Sequence, residues 1–557
     1  MDGLMMDYQL TIPAILRRAE TLFAGKPIVS RRVDRTLHRY TYGECLDRAR
    51  RLGVALRQLG VRRGDRVATL CWNHHRHLEA YYGVPWSGAV VHTLNLRLHP
   101  DDLAYIATHA GDRVIIVDKV LWPLLEKFLL RAPFEHVVVV ADDGQVPEGT
   151  LDYETLLAGV SATPDEFPEP DERQAAAMCF TSGTTGRPKG VVYTHRAIAL
   201  HSLASALAGT LDVRESDRLL SVVPMFHANA WGLPFTCALV GATQLYPGPH
   251  LDPKSLVELY EGERVTVTAG VPTIWLGLLQ LLDANPGAYD LSALRTLIVG
   301  GAAVPEAVIR GFQERHGLRV VHAWGMTELT PLGSVSTLTD ELRQAPEDVQ
   351  YRYRAKQGLP APFVEVRARG AERLVPWDGT SMGELEVRGP WVASAYYDAP
   401  EAADRFTDDG WFRTGDIVSI DARGYIELRD RAKDVIKSGG EWISSVALES
   451  ALMGHPRVAE AAVIAVPHPK WQEVPLAAVV LKPGESTTPA ELLAYLEPRF
   501  PRWWLPSTID IVAEIPRTSA GKFNKRALRE RYGGPAAEES VALPAREGEA
   551  RRVLNDA

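Results

Sequence analysis

Cysteine is scarce in this chain. Only Cys45, Cys71, Cys179 and Cys237 occur in 557 residues, scattered and with no C-x-x-C pair. Such spacing argues against a disulfide framework or a zinc knuckle and leaves four buried, reduced thiols as the expectation. No uncharged apolar run reaches the ~18–20 residues a membrane-crossing helix needs. Basic excess is missing too: Lys+Arg total 61 against 70 for Asp+Glu, a net charge of −9, with both signs interspersed. A nucleic-acid-coating surface would need the opposite balance, so no nucleic-acid partner is expected. The opening residues MDGLMMDYQLTIP carry no basic stretch followed by an apolar one, and no signal peptide is expected. No internal repeat is found. These absences point to a cytoplasmic protein without a transmembrane segment, loose membrane contact remaining open.

What is present is an ordinary globular composition, 46% hydrophobic and 24% charged, at a length of roughly three to four domain-sized units. Residues 46–60 have apolar positions at helical spacing, and residues 66–71, 114–117 and 137–140 are short apolar runs suited to buried strands. Strands alternating with helical patterns predict a parallel sheet. The stretch 162–173 (ATPDEFPEPDER) reads as an exposed connector. Further strand–loop–helix units follow at 175–180, 265–268, 296–299 and 319–322. From about residue 383 the chain turns β-rich, crosses a short charged segment at 429–436, and then shows a βαβ-like pattern of its own up to 532. The fold class expected is α/β: a large N-terminal domain of several α/β sheets plus a small β-rich part, a hinge, and a small α+β C-terminal domain. Boundaries fall at 1–430, 431–436 and 437–533, with 534–557 expected to be a disordered tail rich in Ala, Glu, Gly and Pro.

The sharpest local signal is TSGTTGRPKG at residues 181–190. Gly183, Gly186 and Gly190 permit tight turns and close approach of backbone to a ligand. Thr181, Ser182, Thr184 and Thr185 supply hydroxyls, and Lys189 supplies one positive charge. Together with successive backbone N–H groups they form a cradle for phosphate oxygens. The glycine spacing differs from that of a Walker A loop, and the lysine is not followed by Ser or Thr. A flexible surface loop of the same composition is the bland alternative. The strand pattern before the loop and the strand-to-helix entry after it weigh against that alternative.

Here the sequence resembles the adenylate-forming superfamily of acyl-CoA synthetases, luciferases and peptide-synthetase adenylation domains. The resemblance runs from about residue 8 to 532. It rests on five motifs in family order: TSGTTGRPKG at 181–190, GMTELTP at 325–331, GWFRTGD at 410–416, DRAKDVIKSGGEWIS at 430–444 and PRTSAGK at 516–522. The segments PMFHANAWG, IKSGGEWISS and GHPRVAEAAVIAVPHPKWQE bring it nearest to bacterial medium- and long-chain fatty acyl-CoA synthetases.

The resemblance implies an ATP-dependent acid–CoA ligase, with ATP and CoA as co-substrates, Mg2+ as cofactor, and a homodimer formed through the N-terminal region. Glu328 would hold magnesium with Thr184 as its partner. Thr327 would contact the α-phosphate and Trp324 would present an aromatic face to adenine. His322, Ala323 and Gly301 would line the nucleotide site, and Asp416 would accept hydrogen bonds from the ribose hydroxyls. His227 would lie by the reacting carboxylate, Ala228 and Trp231 would border the nucleotide, and Trp231 would also act as a gate on the acyl tunnel. Lys522 is the main catalytic expectation, a compact cation for the adenylation step. Lys433 matches the hinge position, and Arg431, Lys437 and Trp442 are similar to nucleotide-site contacts. Ser438, Gly439 and Gly440 would form a loop that lets the pantetheine arm of CoA pass. Two other readings stand beside this one. The acid could be short-chain, thioether or aryl, or the chain could be a nucleotide-binding regulator without turnover. Intact Thr184, Glu328, Asp416 and Lys522 weigh against the regulator.

Overall fold

The computed structural model describes residues 1, 3–163, 167–181, 187–370, 373–438, 441–517 and 523–532, without the side chains of 441 and 442. The expected roles of Ser182, Gly183, Thr184, Thr185, Gly186, Gly439, Gly440 and Lys522, and of the Trp442 side chain, lie outside the described residues, as does the tail. The described residues divide into two compact units, one of residues up to 428 and one of 429–517 with 523–532, and the strand Ile426–Arg431 runs across that division.

The first unit is built on two large, mainly parallel sheets. In the seven-stranded sheet the order is Leu151–Asp152, His136–Val140, Asp112–Asp118, Arg66–Leu70, Val90–Thr93, Ala175–Phe180 and Gly190–Thr194, antiparallel only at the last pair. Its inner strands are continuous apolar runs such as HVVVV and AAAMCF, as parallel strands covered on both faces must be. The nine-stranded sheet places Arg218–Ser221 between Thr243–Tyr246 and Val267–Gly270, followed by Thr296–Val299 and Val320–Gly325 in parallel. From Arg218–Ser221 the chain crosses first to one side, then back to the other. Parallel sheets open a crevice at the carboxyl ends of strands where the winding reverses in this way. A four-stranded sheet of Glu365–Arg369, Gly383–Arg388, Phe412–Ile420 and Ile426–Arg431 is the β-rich part of the expectation.

Local sequence explains the helices that cover these sheets. Thr41 and Glu44 form a reciprocal capping box that starts the helix Tyr42–Gln58. Thr194 caps His195–Ala206 directly after the strand that follows the phosphate loop. The helices Tyr42–Gln58 and His75–Trp86 cross at Gly83, where an added Cβ would stand 2.3 Å from the carbonyl oxygen of Ala49. All four cysteines are buried and free. The stretch 162–173 departs from its reading as an exposed connector. Phe167 is buried, lies near Gly53 and sits 4.2 Å under the Arg57 guanidinium, while Glu169 accepts from Thr11 and Arg17. An acidic, proline-rich composition concealed that anchoring aromatic.

The second unit holds a five-stranded sheet in the order Glu441–Ile443, Ile436–Ser438, Gln472–Leu481 and Val458–His468, with Thr508–Ile511 also pairing with Gln472–Leu481. The helices Ser445–Met453 and Pro489–Leu496 pack their leucines into its core. No described helix is long and apolar enough to cross a membrane.

The Gly83 crossing gives a stability prediction. Gly83→Ala forces the two helices apart at a backbone contact and should cost about 1–3 kcal/mol, read as a lower thermal midpoint of the first unit. An unchanged midpoint would show that the crossing yields without cost.

Candidate active site

Four parallel strands of the nine-stranded sheet end at one cavity of about 130 Å3, at the reversal of winding. Val223, Pro224, His227, Ala228 and Trp231 follow Arg218–Ser221; Val271 follows Val267–Gly270; Gly300 and Gly301 follow Thr296–Val299; Ala323 to Thr327 end Val320–Gly325. An adjoining cavity of about 100 Å3 shares His227 and Thr327 and is lined by Thr181, Phe180, Thr93 and Asn95. The entry to the phosphate loop, the histidine and the α-phosphate candidate thus converge from two sheets.

Small residues at the strand ends keep this space open. A Cβ on Gly300 would lie 3.0 Å from both the Ala323 carbonyl oxygen and the Trp231 ring, and one on Gly325 would lie 1.9 Å from the Pro331 carbonyl oxygen. Gly301 has φ +86°, a conformation that favours glycine. Trp231 itself lies in a run of left-handed backbone. Ala228, Asn229, Ala230, Trp231 and Gly232 have φ of 31°, 37°, 56°, 56° and 69°. The Asn229 N–H donates to Cys179 Sγ at 3.2 Å, and Ala230 N to the His227 carbonyl at 2.8 Å.

Trp324 and Asp416, expected separately from two motifs, meet directly. The indole Nε1–H donates to Asp416 Oδ2 at 3.0 Å, both residues being buried. Thr181 and Lys189 close the base of the 181–190 segment, Thr181 N donating to the Lys189 carbonyl at 2.9 Å and Lys189 N to Thr181 Oγ1 at 3.1 Å. Tyr193, on the strand leaving that loop, donates its hydroxyl to the Thr327 carbonyl at 2.6 Å. Tyr396 donates to Glu328 Oε1 at 2.5 Å, and Lys189 Nζ stands 5.7 Å over its ring. Neither tyrosine was found from sequence, since both lie in stretches where an aromatic reads as core.

Glu328 stands apart from the other buried glutamates among the described residues. Glu79 pairs with Arg48, Glu263 with Arg39 and Arg218, Glu386 with Arg367, and Glu449 with Lys525. Glu328 is 5% exposed, and no lysine or arginine among the described residues forms an ion pair with it. A buried carboxylate without a counter-charge is costly, and an oxygen ligand of this kind suits a hard divalent cation.

Other expected positions lie elsewhere. His322 is buried, and its Nδ1–H donates to the Ala355 carbonyl at 3.2 Å; it does not line the cavity. Burial pushes its pKa down to about 4, so it is neutral there. In the second unit, Arg431 N donates to Asp430 Oδ1 at 2.8 Å, Lys433 and Lys437 are exposed, Lys437 N donates to Glu473 Oε2 at 2.8 Å, and Ser438 is buried.

Comparison with known proteins gives the class. Residues 16–397 match the family of AMP-binding enzymes, and residues 447–522 match the AMP-binding enzyme C-terminal domain. The chain belongs to the AMP-binding enzyme family. It is 52% identical to a long-chain-fatty-acid–CoA ligase of Thermus thermophilus over 95% of this chain and 96% of that one. It is 41% identical to a 3-methylmercaptopropionyl-CoA ligase of Ruegeria lacuscaerulensis over 96% of this chain and 99% of that one. Among solved structures, the anthranilate CoA ligase AuaEII in complex with anthranoyl-AMP superposes with a TM-score of 0.85 at 26% identity, covering 96% of this chain and 100% of that one.

The Trp324–Asp416 contact is open to test. Trp324→Phe keeps the aromatic face but removes the N–H that orients the carboxylate. A hydrogen bond to a charged group contributes about 1.5–3 kcal/mol, so the KM for ATP should rise at least about tenfold. A KM within twofold of wild type would show that Asp416 holds its place without the indole.

Proposed function

We propose that this enzyme is a fatty acid–CoA ligase acting in two steps on a medium- or long-chain aliphatic acid. In the first, a carboxylate oxygen attacks the α-phosphorus of ATP, the bond to the bridging oxygen breaks, and pyrophosphate leaves. In the second, the CoA thiol attacks the acyl carbonyl and AMP leaves. The observation that carries the reading is the Trp324–Asp416 pair beside a cavity holding His227, Trp231 and Thr327. One assembly offers an adenine face, a ribose acceptor, an α-phosphate contact and a route for an acyl group.

Both reactants in the first step are anions, so the protein must neutralise charge, align the atoms and exclude water. In this reading the loop of Thr181, Ser182, Gly183, Thr184, Thr185, Gly186 and Lys189 holds the phosphates. Glu328, with Thr184, would hold magnesium, which supplies charge neutralisation across phosphate oxygens when bound. Tyr396 fixes the Glu328 carboxylate through the hydroxyl it donates. His227 and Ala228 border the acid, and swinging Trp231 aside admits its chain. Lys522 stabilises charge during adenylation. Lys433 serves as hinge, Arg431, Lys437 and Trp442 approach the nucleotide, and Ser438, Gly439 and Gly440 admit the pantetheine arm. A cytoplasmic location and a homodimer through the N-terminal region complete the proposal, resting on the family resemblance.

A ligase for a short thioether acid is the second reading, favoured by the 41% identity to the 3-methylmercaptopropionyl-CoA ligase. An acid panel with ATP and CoA, read as AMP formed, separates the two. Saturated acids of roughly eight to eighteen carbons should give the highest kcat/KM. A preference for the thioether acid would replace the first reading by the second, and no turnover of any acid would restore the regulator. Lys522→Ala should abolish adenylate formation yet spare thioester formation from supplied acyl-adenylate; equal loss of both would sink that division of labour. Tyr396→Phe frees the Glu328 carboxylate and should raise the magnesium needed for half-maximal rate by about tenfold or more. An unchanged magnesium dependence would leave the tyrosine a packing role only.

A further inference from the structure

The loop that carries His227 and Trp231 continues the strand Arg218–Ser221 of the nine-stranded sheet, yet the seven-stranded sheet and its covering helix hold it. Asn73, buried just beyond the strand Arg66–Leu70, ties the first part of the loop. Its Nδ2 donates to the carbonyls of Ser221 at 3.0 Å and Val223 at 2.7 Å, and its Oδ1 accepts from Met225 N at 2.8 Å. The Tyr81 hydroxyl, on the helix His75–Trp86, donates to the Met225 carbonyl. Past the loop, Thr236 Oγ1 donates to the Gly232 carbonyl at 3.1 Å and the Tyr82 hydroxyl to the Pro234 carbonyl at 2.8 Å.

Between these firm ends lies the left-handed run 228–232. Asn229 ties it to the neighbouring sheet. Its backbone N–H donates to Cys179 Sγ at 3.2 Å, and its Nδ2 donates at 3.4 Å to Thr93 Oγ1, which lies 3.3 Å from the same sulfur. Cys179 and Thr93 stand on the adjacent strands Ala175–Phe180 and Val90–Thr93. The bonds on either side of the run end on oxygen; the backbone bond of the run ends on sulfur, a weak acceptor. Burial pushes the Cys179 thiol up to about 11, so it stays protonated and unreactive, and its part here is to accept. A strained turn set between strong ties and held by a weak one yields at the weak one. Trp231 is two residues beyond Asn229, its ring close against Gly300 at the cavity proposed for the acid.

We infer that Cys179 is a positioning residue for acid entry: its sulfur, supported by Thr93, catches the Asn229 N–H and keeps Trp231 against Gly300, and the strength of that catch sets how readily an acyl chain is admitted. This rests on the fatty acid–CoA ligase reading above and adds to it the element that opposes opening. A site that is open only part of the time binds its ligand more weakly in proportion to the open fraction. Weakening the catch therefore tightens the binding of the acid and leaves the nucleotide where it was.

The test uses the full chain and dodecanoic acid. It measures KM for acid and for ATP by pyrophosphate release, and Kd for the acid without nucleotide by calorimetry. Cys179→Ala should lower both KM and Kd for the acid about threefold or more, the scale of one modest hydrogen bond, with KM for ATP within twofold. Cys179→Ser keeps an acceptor in place and should hold the acid Kd within twofold of wild type. In a Trp231→Ala chain, adding Cys179→Ala should change the acid Kd by less than about 1.5-fold, because no ring is left to hold; a general packing defect would act on both backgrounds alike. An acid Kd that is unchanged or raised in Cys179→Ala, an equal change in KM for ATP, a serine variant no better than the alanine one, or a full effect in the Trp231→Ala chain would each overturn the inference. A wild-type chain that binds no dodecanoic acid and releases no pyrophosphate with any acid would instead overturn the ligase reading, and the inference would fall with it.

Discussion

The hydrogen bond from Trp324 to Asp416 lies where the nine-stranded sheet and the antiparallel sheet share one apolar core, and it is the polar contact that sets the site. Trp324 is near the carboxyl end of the last parallel strand in the nine-stranded sheet; Asp416 lies within the strand Phe412–Ile420 of the antiparallel sheet. Both partners are buried, so their polar atoms had to be satisfied by something other than bulk water. Pairing them fixes the indole plane and the carboxylate together. Around that fixed pair the remaining walls need only be small: Gly300, Gly301, Ala323 and Gly325 bring backbone close where a side chain would fill the space.

The opposite wall is held in a costly conformation. Left-handed backbone costs roughly 1–2 kcal/mol per residue for anything but glycine, and Ala228 to Trp231 all adopt it. Such strain persists only where surroundings over-determine it. The constraint comes from the Asn229 N–H on Cys179 and the close packing of the Trp231 ring on Gly300. A segment kept near the edge of its conformational range needs little further energy to rearrange. That suits a wall proposed to open for an acyl chain better than a well-packed regular helix would.

Much of the architecture was legible because parallel strands buried on both faces must be apolar runs. The residues 175–180 and 296–299 were read with the bounds the structure gives, 114–117 proved to lie inside a longer strand, and 137–140 fell one residue short of its strand's start. The Gly- and Thr-rich loop and the lone Asp416 stood out in the sequence because of unusual composition or a motif, and of these the structure describes Asp416, paired with Trp324. Tyr193 and Tyr396 were not legible, because a tyrosine that orients a carbonyl or a carboxylate has the same local sequence signature as one filling a core. His322 carries a contact the sequence did not announce: at a strand end its imidazole binds the backbone carbonyl of Ala355. Phe167 escaped because composition averaged over 162–173 reports the surface and not the one residue that anchors it.

Charge accounting gives the firmest link from fold to chemistry. Burying a carboxylate costs several kcal/mol unless a cation or several donors compensate. The chain meets that requirement with arginine or lysine at Glu79, Glu263, Glu386 and Glu449. At Glu328 the described residues supply a tyrosine hydroxyl, which orients the group without bringing a charge. A structural carboxylate gains nothing from being left so, since an arginine there would stabilise the fold. A carboxylate that must receive a cation brought by the substrate gains a great deal, because a resident counter-ion would have to be displaced at every turnover. Lys189 points the same way, its ammonium standing over the ring of Tyr396. In that position it forms no ion pair with the Glu328 carboxylate.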